Sequence, residues 1–258
     1  MKRSKLLFGM FAIAALAFGG SSANAAPPDS TTCSGATLAP GVYKDLRVTG
    51  YCKIDGQVII NGNVKVAEGA YLDAAWPGTR LVIDGDVSVG RGAKLGLGCS
   101  FGYHGCGANP VWLGSVIVNG NIDAKEALTM FLDFTIVQGN VDWKGGGDAT
   151  MGDSPGQQDG LVLVIKDNVI GGNLKVDGWV GAWFGIIRNK VFGNVTAAHT
   201  AGNRVDPDTG NPDSTEIATN IVTGNLKCDH NSPPAQIGDS GGTLNIVLGK
   251  KSDECAGL

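Results

Sequence analysis

The chain has 258 residues, of which 41 are Gly, and 17% are charged and 7% aromatic, with a formal net charge of −4. An acidic chain with this apolar content is neither a basic nucleic-acid binder nor a disordered protein. No stretch approaches the roughly 20 apolar residues of a membrane-spanning helix, so an integral membrane protein is excluded as well.

The first 25 residues have the plan of a secretory signal peptide. Three basic residues precede the apolar run Leu6–Phe18, and small residues then lead to Ala23-Asn24-Ala25. This pattern predicts cleavage near Ala25 and therefore a secreted, extracellular protein. We expect residues 26–40 to form an N-terminal lead-in and residues 41–258 to form a single domain.

Six cysteines in an exported chain predict disulfides. Two lie near the start, two in the middle and two near the end, which favours the pairs Cys33–Cys52, Cys99–Cys106 and Cys228–Cys255. The outer pairs would then staple the two ends of the fold. A metal site at Cys99 and Cys106 with His104 is the weaker alternative, because the spacing is not that of a zinc site and no fourth ligand lies close.

A heptapeptide recurs seven times: a β-branched residue, any residue, Gly, Asn or Asp, an aliphatic residue, any residue and a mostly apolar one. The copies are Ile60–Val66, Ile83–Val89, Val118–Ala124, Val137–Trp143, Ile170–Val176, Val191–Ala197 and Val222–Cys228. The β-branched and aliphatic positions favour short strands, and we expect the central Gly to supply a positive φ at a sharp turn.

Because the copies are alike and run in the same direction, like segments can stack in parallel. The shorter spacings of about 20 residues suit one coil of three strands and three turns. The sequence therefore predicts an all-β fold, a right-handed parallel β-helix of about eight to nine coils. A leucine-rich repeat lacks its consensus here, and a β-propeller needs longer blades.

Stacking would bring the Asn or Asp of every copy into register. This predicts a ladder of side-chain amides bonded from coil to coil, formed by Asn63, Asp86, Asn121, Asn140, Asn173, Asn194 and Asn225. A second run, Asn168, Asn189 and Asn220, lies four residues before the motif glycines. We interpret both ladders as structural.

Three spacings exceed a single coil, and the additional residues fall at about 97–115, 145–160 and 199–219. Their Gly-, Pro- and Asp-rich composition predicts loop excursions. Insertions in solenoids often gather on one binding face, so we expect these loops to project from similar angular positions. The alternative is that they only shield a sheet.

The sixth motif position should point outward, because the fifth and seventh point inward. Asp123 and Asp142 would then be neighbours about 4.8 Å apart on adjacent coils, and such paired carboxylates can divide acid and base roles. Lys125 and Lys144 follow two residues further along, with Asp177 next in that row. If the protein is an enzyme, Asp123, Asp142 and Lys144 are the catalytic candidates; the alternative is an exposed charge ladder.

Two loop features could bind ligands. Asp206 to Asp213 is rich in oxygen ligands and makes calcium possible, although it departs from the EF-hand pattern and a plain turn-rich loop is the alternative. Tyr103 and Trp112, in the first excursion, could stack on sugar rings. Together with Lys125 and Asp177 they are the candidate ligand-binding residues, whereas Trp143 falls on an inward position.

The repeat resembles that of exported bacterial right-handed parallel β-helix proteins. The closing segment, from Gly224 through Asn245–Lys251 to Cys255, is similar to the end of small secreted bacterial proteins of unassigned function. This resemblance implies the architecture and no catalytic residues.

Three functions are consistent with these patterns. We expect a monomeric binding or surface-structural module that recognises cell-wall or environmental polysaccharide, without cofactor, metal or nucleic acid. A polysaccharide lyase or glycoside hydrolase is the second hypothesis, and a self-assembling extracellular structural protein is the third.

Overall fold

The computed structural model describes residues 30–99, 115–148, 162–203, 210, 215–238 and 241–258. The predicted signal peptide lies outside these residues. Among the described residues, no helix has the length and apolar character needed to cross a membrane.

The strands follow one another in coils of three, with two additional short strands in the seventh and eighth coils. The first four coils are β1 (Thr31–Cys33), β2 (Ala36–Leu38), β3 (Gly41–Tyr43); β4 (Leu46–Val48), β5 (Tyr51–Ile54), β6 (Gln57–Ile60); β7 (Val64–Val66), β8 (Tyr71–Ala74), β9 (Arg80–Ile83); β10 (Val87–Val89), β11 (Lys94–Leu97), β12 (Val116–Val118). The next three are β13 (Ile122–Lys125), β14 (Thr129–Asp133), β15 (Thr135–Val137); β16 (Val141–Lys144), β17 (Val162–Lys166), β18 (Val169–Ile170); β19 (Leu174–Asp177), β20 (Val180–Gly181), β21 (Trp183–Ile187), β22 (Lys190–Val191). The last are β23 (Val195–Ala198), β24 (Ala201–Gly202), β25 (Thr215–Ala218), β26 (Ile221–Val222); β27 (Leu226–Asp229), β28 (Ile246–Val247); and β29 (Lys251–Asp253), before the 3-10 helix Glu254–Gly257.

Corresponding strands stack into three long parallel sheets. Sheet 1 has ten strands and runs β1-β4-β7-β10-β13-β16-β19-β23-β27-β29. Sheet 2 has eight strands, β2-β5-β8-β11-β14-β17-β21-β25, and sheet 3 has nine, from β3 to β28. The predicted parallel β-helix is confirmed, with nine coils closed by β29.

The interior is built from the inward-facing residues of all three sheets. In β7 the side chains of Val64 and Val66 are buried, whereas Lys65 between them is exposed. This alternation recurs along sheet 1, as the predicted orientation of the sixth motif position requires. The two largest interior side chains are Trp143 and Trp179, so Trp143 is a core residue as predicted.

The motif glycines are needed for a reason other than the predicted positive φ. None of the seven has a φ in the left-handed region. Instead, a Cβ on Gly139 would lie 2.5 Å from Asn121 Oδ1 and 2.6 Å from the carbonyl oxygen of Gly120. The glycines also bond to each other between coils, as in Gly139 N–H to Gly120 O at 3.1 Å. The expectation of positive φ is therefore wrong, and close packing of adjacent coils explains the residue.

An eighth copy of the motif, Val247–Asp253, closes the stack. Its Gly249 donates to the carbonyl of Gly224 at 3.0 Å, which continues the glycine column. Lys250 stands at the Asn position, and its backbone N–H donates to Asn225 Oδ1 at 2.9 Å. The sequence pattern missed this copy because Lys250 replaces the Asn or Asp, Lys251 the aliphatic residue and Asp253 the apolar one.

The exposed Asn ladder is confirmed at the corner between sheets 3 and 1. The side-chain amides of Asn121, Asn140, Asn173 and Asn194 each donate to the Oδ1 one coil earlier, as in Asn140 Nδ2 to Asn121 Oδ1 and Asn173 Nδ2 to Asn140 Oδ1, both 3.1 Å. At the start of the ladder, Asp45 Oδ1 accepts from Asn63 N–H at 2.7 Å.

The second ladder is also confirmed, and it is buried at the corner between sheets 2 and 3. Asn168 donates through Nδ2 to Asn189 Oδ1 at 2.9 Å, and Asn189 donates to Asn220 Oδ1 at 3.1 Å. Asn245 extends it by one coil, accepting from Asn220 Nδ2 at 2.8 Å. Each amide also donates to a backbone carbonyl, so these side chains satisfy buried backbone groups that the corner leaves unpaired.

The N-terminal boundary lies earlier than predicted. Because β1 pairs in parallel with β4, the first coil begins at Thr31 rather than at residue 41, and the expected lead-in is part of the β-helix. Both terminal disulfides are formed as predicted, Cys33–Cys52 and Cys228–Cys255. Cys99 is disulfide-bonded, but Cys106 lies outside the described residues, so its predicted partnership with Cys99 stays a prediction.

The three excursions do not share one angular position. Residues 98–115 connect β11 of sheet 2 to β12 of sheet 3, whereas 145–161 and 203–214 lie between sheets 1 and 2. The expectation of a common position is therefore wrong for the first excursion, because it leaves the coil one corner later. Most residues of the three loops lie outside the described part of the chain.

Candidate functional site

The outward-facing side of sheet 1 carries the predicted row of polar side chains. Residues at the sixth motif position pair directly from strand to strand, and Asp123 lies opposite Asp142 as predicted. The row continues at both ends through Arg47 and Ser252. Its members between these ends are Lys65, Ser88, Asp123, Asp142, Lys175, Thr196 and Lys227.

A second outward row runs parallel to the first. Lys125 pairs with Lys144, and Lys144 pairs with Asp177, so the predicted order of these three residues is confirmed. Beyond Asp177 the row passes through Ala198 to Asp229. Carboxylates and lysines of the two rows therefore lie within reach of each other across the sheet.

Of the predicted catalytic residues, Asp142 and Lys144 form an ion pair. Lys144 Nζ lies 3.2 Å from Asp142 Oδ2. The other oxygen, Oδ1, is buried and has no hydrogen-bond partner among the described residues. A buried acceptor without a donor is unfavourable, so this oxygen raises the free energy of the folded state.

A lysine and an aspartate of the next coil form a cluster with a histidine of the coil after it. Asp177 binds Lys175 Nζ through Oδ2 at 3.0 Å and His199 Nδ1 through Oδ1 at 3.0 Å. The hydrogen bond from Lys175 is the main reason that the pKa of Asp177 lies below its ordinary value; burial opposes this shift, and the weaker effect of the hydrogen bond from His199 adds to it. Because a carboxylate only accepts hydrogen bonds, His199 donates from Nδ1 and turns Nε2 away from Asp177.

A related cluster lies nearer the C-terminus, where the histidine follows the aspartate in the same coil and does not come from the next one. Lys227 Nζ lies 3.1 Å from Asp229 Oδ2, and His230 Nδ1 lies 2.7 Å from Asp229 Oδ1. The hydrogen bond from Lys227 is the main reason that the pKa of Asp229 is lowered. The rings of His199 and His230 stack with 5.4 Å between centroids and 7° between planes.

Sequence reasoning missed this histidine pair, although a pattern existed that could have found it. Each histidine follows its motif glycine by the same interval, from Gly193 to His199 and from Gly224 to His230. Equal positions in successive copies stack, so the two rings had to be neighbours.

Two open depressions lie on this face of sheet 1. The first, of about 500 Å³, has Asp123, Asp142 and Lys175 among its lining residues, together with amides of the exposed Asn ladder. The second, of about 440 Å³, includes Lys125 and Arg91. The structure thus brings Asp123 and Asp142 to one depression and places Lys125 in the other.

An aromatic cluster on the outer face of sheet 2 was not predicted. Tyr51 and Tyr71 pack with ring centroids 5.5 Å apart on adjacent coils. Asp73, almost fully buried, accepts from Tyr51 OH at 3.0 Å and from Trp76 Nε1 at 2.8 Å. Lys53 Nζ lies 3.9 Å from the centre of the Trp76 ring. Asp73 is therefore an internal partner of these aromatic side chains.

Other predicted ligand sites lie outside the described residues. This applies to Tyr103 and Trp112, and to the Asp206–Asp213 loop except Gly210, so sugar stacking and calcium binding there stay predictions. Among the described residues, no three His, Cys, Asp or Glu side chains are grouped so as to hold a metal ion.

Comparison with known proteins assigns no family to this chain. No protein-family model, curated protein or solved structure matches it. The site is therefore argued from its own residues.

Proposed function

We propose that the protein is a secreted binding module that recognises a neutral polysaccharide along the outer face of sheet 1. The observation that carries the proposal is the row of carboxylates, ammonium groups and amides over an open depression of about 500 Å³. In a parallel sheet such a row repeats about every 4.8 Å, which is comparable with the length of one sugar unit in an extended chain.

The alternation of charge favours a hydroxyl-rich ligand over a polyanion. Asp123 and Asp142 are followed along the row by Lys175, and Lys144 neutralises Asp142. Such a face has little net field to attract a charged polymer. It does offer donors and acceptors in close alternation, which matches hydroxyl groups because each of them both donates and accepts.

Rigidity supports the same proposal. The row lies on strands that are paired on both sides and anchored to the interior by alternate residues. When a ligand binds to a preorganised row, the protein side chains and backbone lose little further conformational entropy, which favours affinity.

Export from a bacterial cell belongs to this proposal. The signal-peptide pattern and the resemblance to exported β-helix proteins support it. The two disulfides at the ends of the β-helix are compatible with an oxidising extracellular environment.

The lyase or hydrolase hypothesis is a second candidate, favoured by the direct pairing of Asp123 and Asp142 on adjacent strands. A hydrolase of this kind needs two carboxylates that act on one glycosidic bond. The ion pair between Asp142 and Lys144 weighs against it, because it must be broken before either group acts on a substrate.

Affinity electrophoresis and calorimetry on a panel of neutral and anionic polysaccharides test the proposal. We expect binding to a neutral polymer, and a loss of roughly tenfold or more in affinity for Asp142→Ala, as for a lost charge-assisted hydrogen bond. Asp55→Ala is the matched control, since Asp55 is also paired with a lysine, Lys53, at 3.0 Å but lies at another corner.

Two results would decide against binding alone. If Asp142→Ala and Asp55→Ala bind every polymer as the unchanged protein does, the sheet 1 site is wrong. Release of sugar by the unchanged protein that disappears in both Asp123→Ala and Asp142→Ala would replace the binding module by the enzyme.

A further inference from the structure

The outer face of sheet 3 carries an aliphatic row that the interior does not require. One outward-facing position per coil pairs directly from strand to strand along the whole sheet. Its members are Val42, Ile59, Val82, Ile117, Ile136, Val169, Lys190, Ile221 and Ile246.

This row is accessible and not part of the core. Val42 is 52% exposed and Ile246 59%, and the residues between them are exposed or half-buried. Towards the C-terminus the row is flanked by exposed Phe192, Leu244 and Leu248. A contiguous apolar strip of this length on an exported protein marks an interaction surface.

We propose that this face is the interface of a two-fold symmetric dimer, in which sheet 3 of one copy packs against sheet 3 of a second copy. Sheets that present β-branched side chains pack face to face by interdigitation, as the layers of a β-sandwich do. A second copy offers a surface with the same strand spacing, so the side chains of the two rows can interlock along their full length.

The area is sufficient for such a dimer. The nine strands of sheet 3 have two to four residues each, and the outward-facing residues that flank them, such as Leu244 and Leu248, widen the face to about five residues per coil. At sheet spacing this gives a footprint of about 38 Å by about 17 Å. This corresponds to roughly 650 Å² per copy and roughly 1,300 Å² in total, within the range of specific protein interfaces.

Charge complementarity identifies the symmetry and the partner. Lys190 is the one cation in the row. Ile136 is the middle position of the nine, and a two-fold axis that passes there parallel to the strands places Lys190 opposite Val82 of the second copy. Asp84 follows Val82 by two residues, just as Phe192 follows Lys190 by two residues. Asp84 of the second copy would therefore lie beside Lys190, on the side where Phe192 lies. The Nζ of Lys190 already leans that way, 5.1 Å from the centre of the Phe192 ring.

The like charges of this arrangement are compensated. On the opposite flank, Arg80 would face Arg188 of the second copy. Arg188 is held by Asp167 through two hydrogen bonds of 2.7 Å, so Arg80 meets an ion pair rather than a lone cation. A lipid surface would offer Lys190 no such carboxylate within its apolar layer.

Sedimentation equilibrium over a concentration series tests the dimer. We expect the mass of two copies, and a dissociation constant raised roughly tenfold or more in Ile136→Glu, because a charge would be buried in the interface. Thr37→Glu is the matched control, since Thr37 is an exposed β-branched residue on the outer face of sheet 2. It should dimerise as the unchanged protein does.

A charge exchange makes the test independent of folding defects. Lys190→Asp and Asp84→Lys should each weaken self-association, because each alone places like charges together. An equimolar mixture should form a heterodimer with two restored Asp–Lys contacts, and therefore associate more tightly than either variant alone.

Three results would overturn the proposal. These are a monomer at every concentration, variants that dimerise as tightly as the unchanged protein, and a mixture that associates no better than its components. Flotation of the monomer with phosphatidylcholine vesicles, abolished by Ile136→Glu, would assign the face to lipid instead.

Discussion

The buried Asn ladder makes a quantitative prediction, because Asn189→Ala removes several interactions at one enclosed corner. Asn189 is almost fully buried. Its Oδ1 accepts from the backbone N–H and from Nδ2 of Asn168 at 3.1 and 2.9 Å, and its Nδ2 donates to Ile165 O at 2.6 Å and to Asn220 Oδ1 at 3.1 Å. Alanine makes none of these four contacts.

The loss in the free energy of unfolding depends on which of the polar groups around Asn189 keep another hydrogen-bond partner in the variant. Asn220 Oδ1 still accepts from the backbone N–H of residue 189, and Asn168 Nδ2 still donates to Leu132 O. The N–H of Asn168 and the carbonyl of Ile165 lose their side-chain partners, at about 1–3 kcal/mol for each buried polar group. With the small cavity added, we expect a loss of roughly 3–5 kcal/mol in the free energy of unfolding.

Asn173→Ala is the matched control. Asn173 Nδ2 donates to Asn140 Oδ1 at 3.1 Å, and its Oδ1 accepts from Asn194 N–H and Nδ2 at 2.9 and 3.1 Å, but this ladder is exposed. Water replaces the lost partners there, so we expect a loss of about 1 kcal/mol or less.

Urea unfolding followed by circular dichroism measures both free energies. Equal losses in the two variants would refute the reasoning, because burial would then not decide the cost. A loss below about 1 kcal/mol for Asn189→Ala would refute it as well, since the corner would tolerate unpaired groups.

Three further predictions concern the glycine column, the terminal disulfide and acid stability. Gly139→Ala should lower the urea midpoint clearly, because its Cβ would lie 2.5 Å from a ladder oxygen, whereas Gly257→Ala should have no effect since nothing lies within 4 Å. Replacing Cys33 and Cys52 by Ser opens a loop with a sequence separation of 19, and should cost about 3 kcal/mol by unfolded-chain entropy, measured as a shift of the thermal midpoint. The lowered pKa of Asp177 means that its ionised form stabilises the fold above the unfolded value of about 3.9, and that this contribution is lost as the pH falls through the folded pKa. Unfolding midpoints should therefore decline below about pH 4, less steeply in Asp177→Asn.

Each of these predictions has a contradicting result. A neutral Gly139→Ala would mean that adjacent coils can separate, so close packing would not explain the column. A thermal midpoint unchanged by loss of Cys33 and Cys52 would show that the first coil is held without the covalent link. If the unfolding midpoint of Asp177→Asn falls with pH as that of the unchanged protein does, the ion pairs of Asp177 do not contribute to the loss of stability in acid.

Much of the architecture was predictable because equivalent positions in successive copies of a repeat stack on each other, which fixes the register between strands. Once like positions are taken to stack, the adjacency of Asp123 and Asp142 follows without any knowledge of the coil's shape. The inward position of Trp143 follows from the two-residue period of a strand in the same way. Both features are confirmed.

The failures arise where the repeat carries no information. The spacing between two motif copies gives the length of an excursion, but it does not give the corner of the coil at which the excursion begins. For this reason the predicted position of residues 98–115 was wrong. The role of Gly139 and its equivalents depends on the distance between neighbouring coils, which only coordinates provide. Tyr51 and Tyr71 lie outside the motif, and their packing could not be derived from it.

The outer faces of sheet 1 and sheet 3 differ in residue type, although folding of the coil places the same requirements on both. Burial inside the coils requires apolar residues only at inward positions, and the outward positions of sheet 1 accordingly vary between arginine, lysine, aspartate, serine, threonine and alanine. Sheet 3 obeys the same geometry, yet eight of its nine outward positions along one row are Val or Ile. Stability of the coil does not demand this uniformity, and exposed aliphatic rows carry a risk of association. A row that is both costly in water and continuous from Val42 to Ile246 is therefore explained by contact with another surface, and the proposed polysaccharide site on sheet 1 would stay open in such a pair.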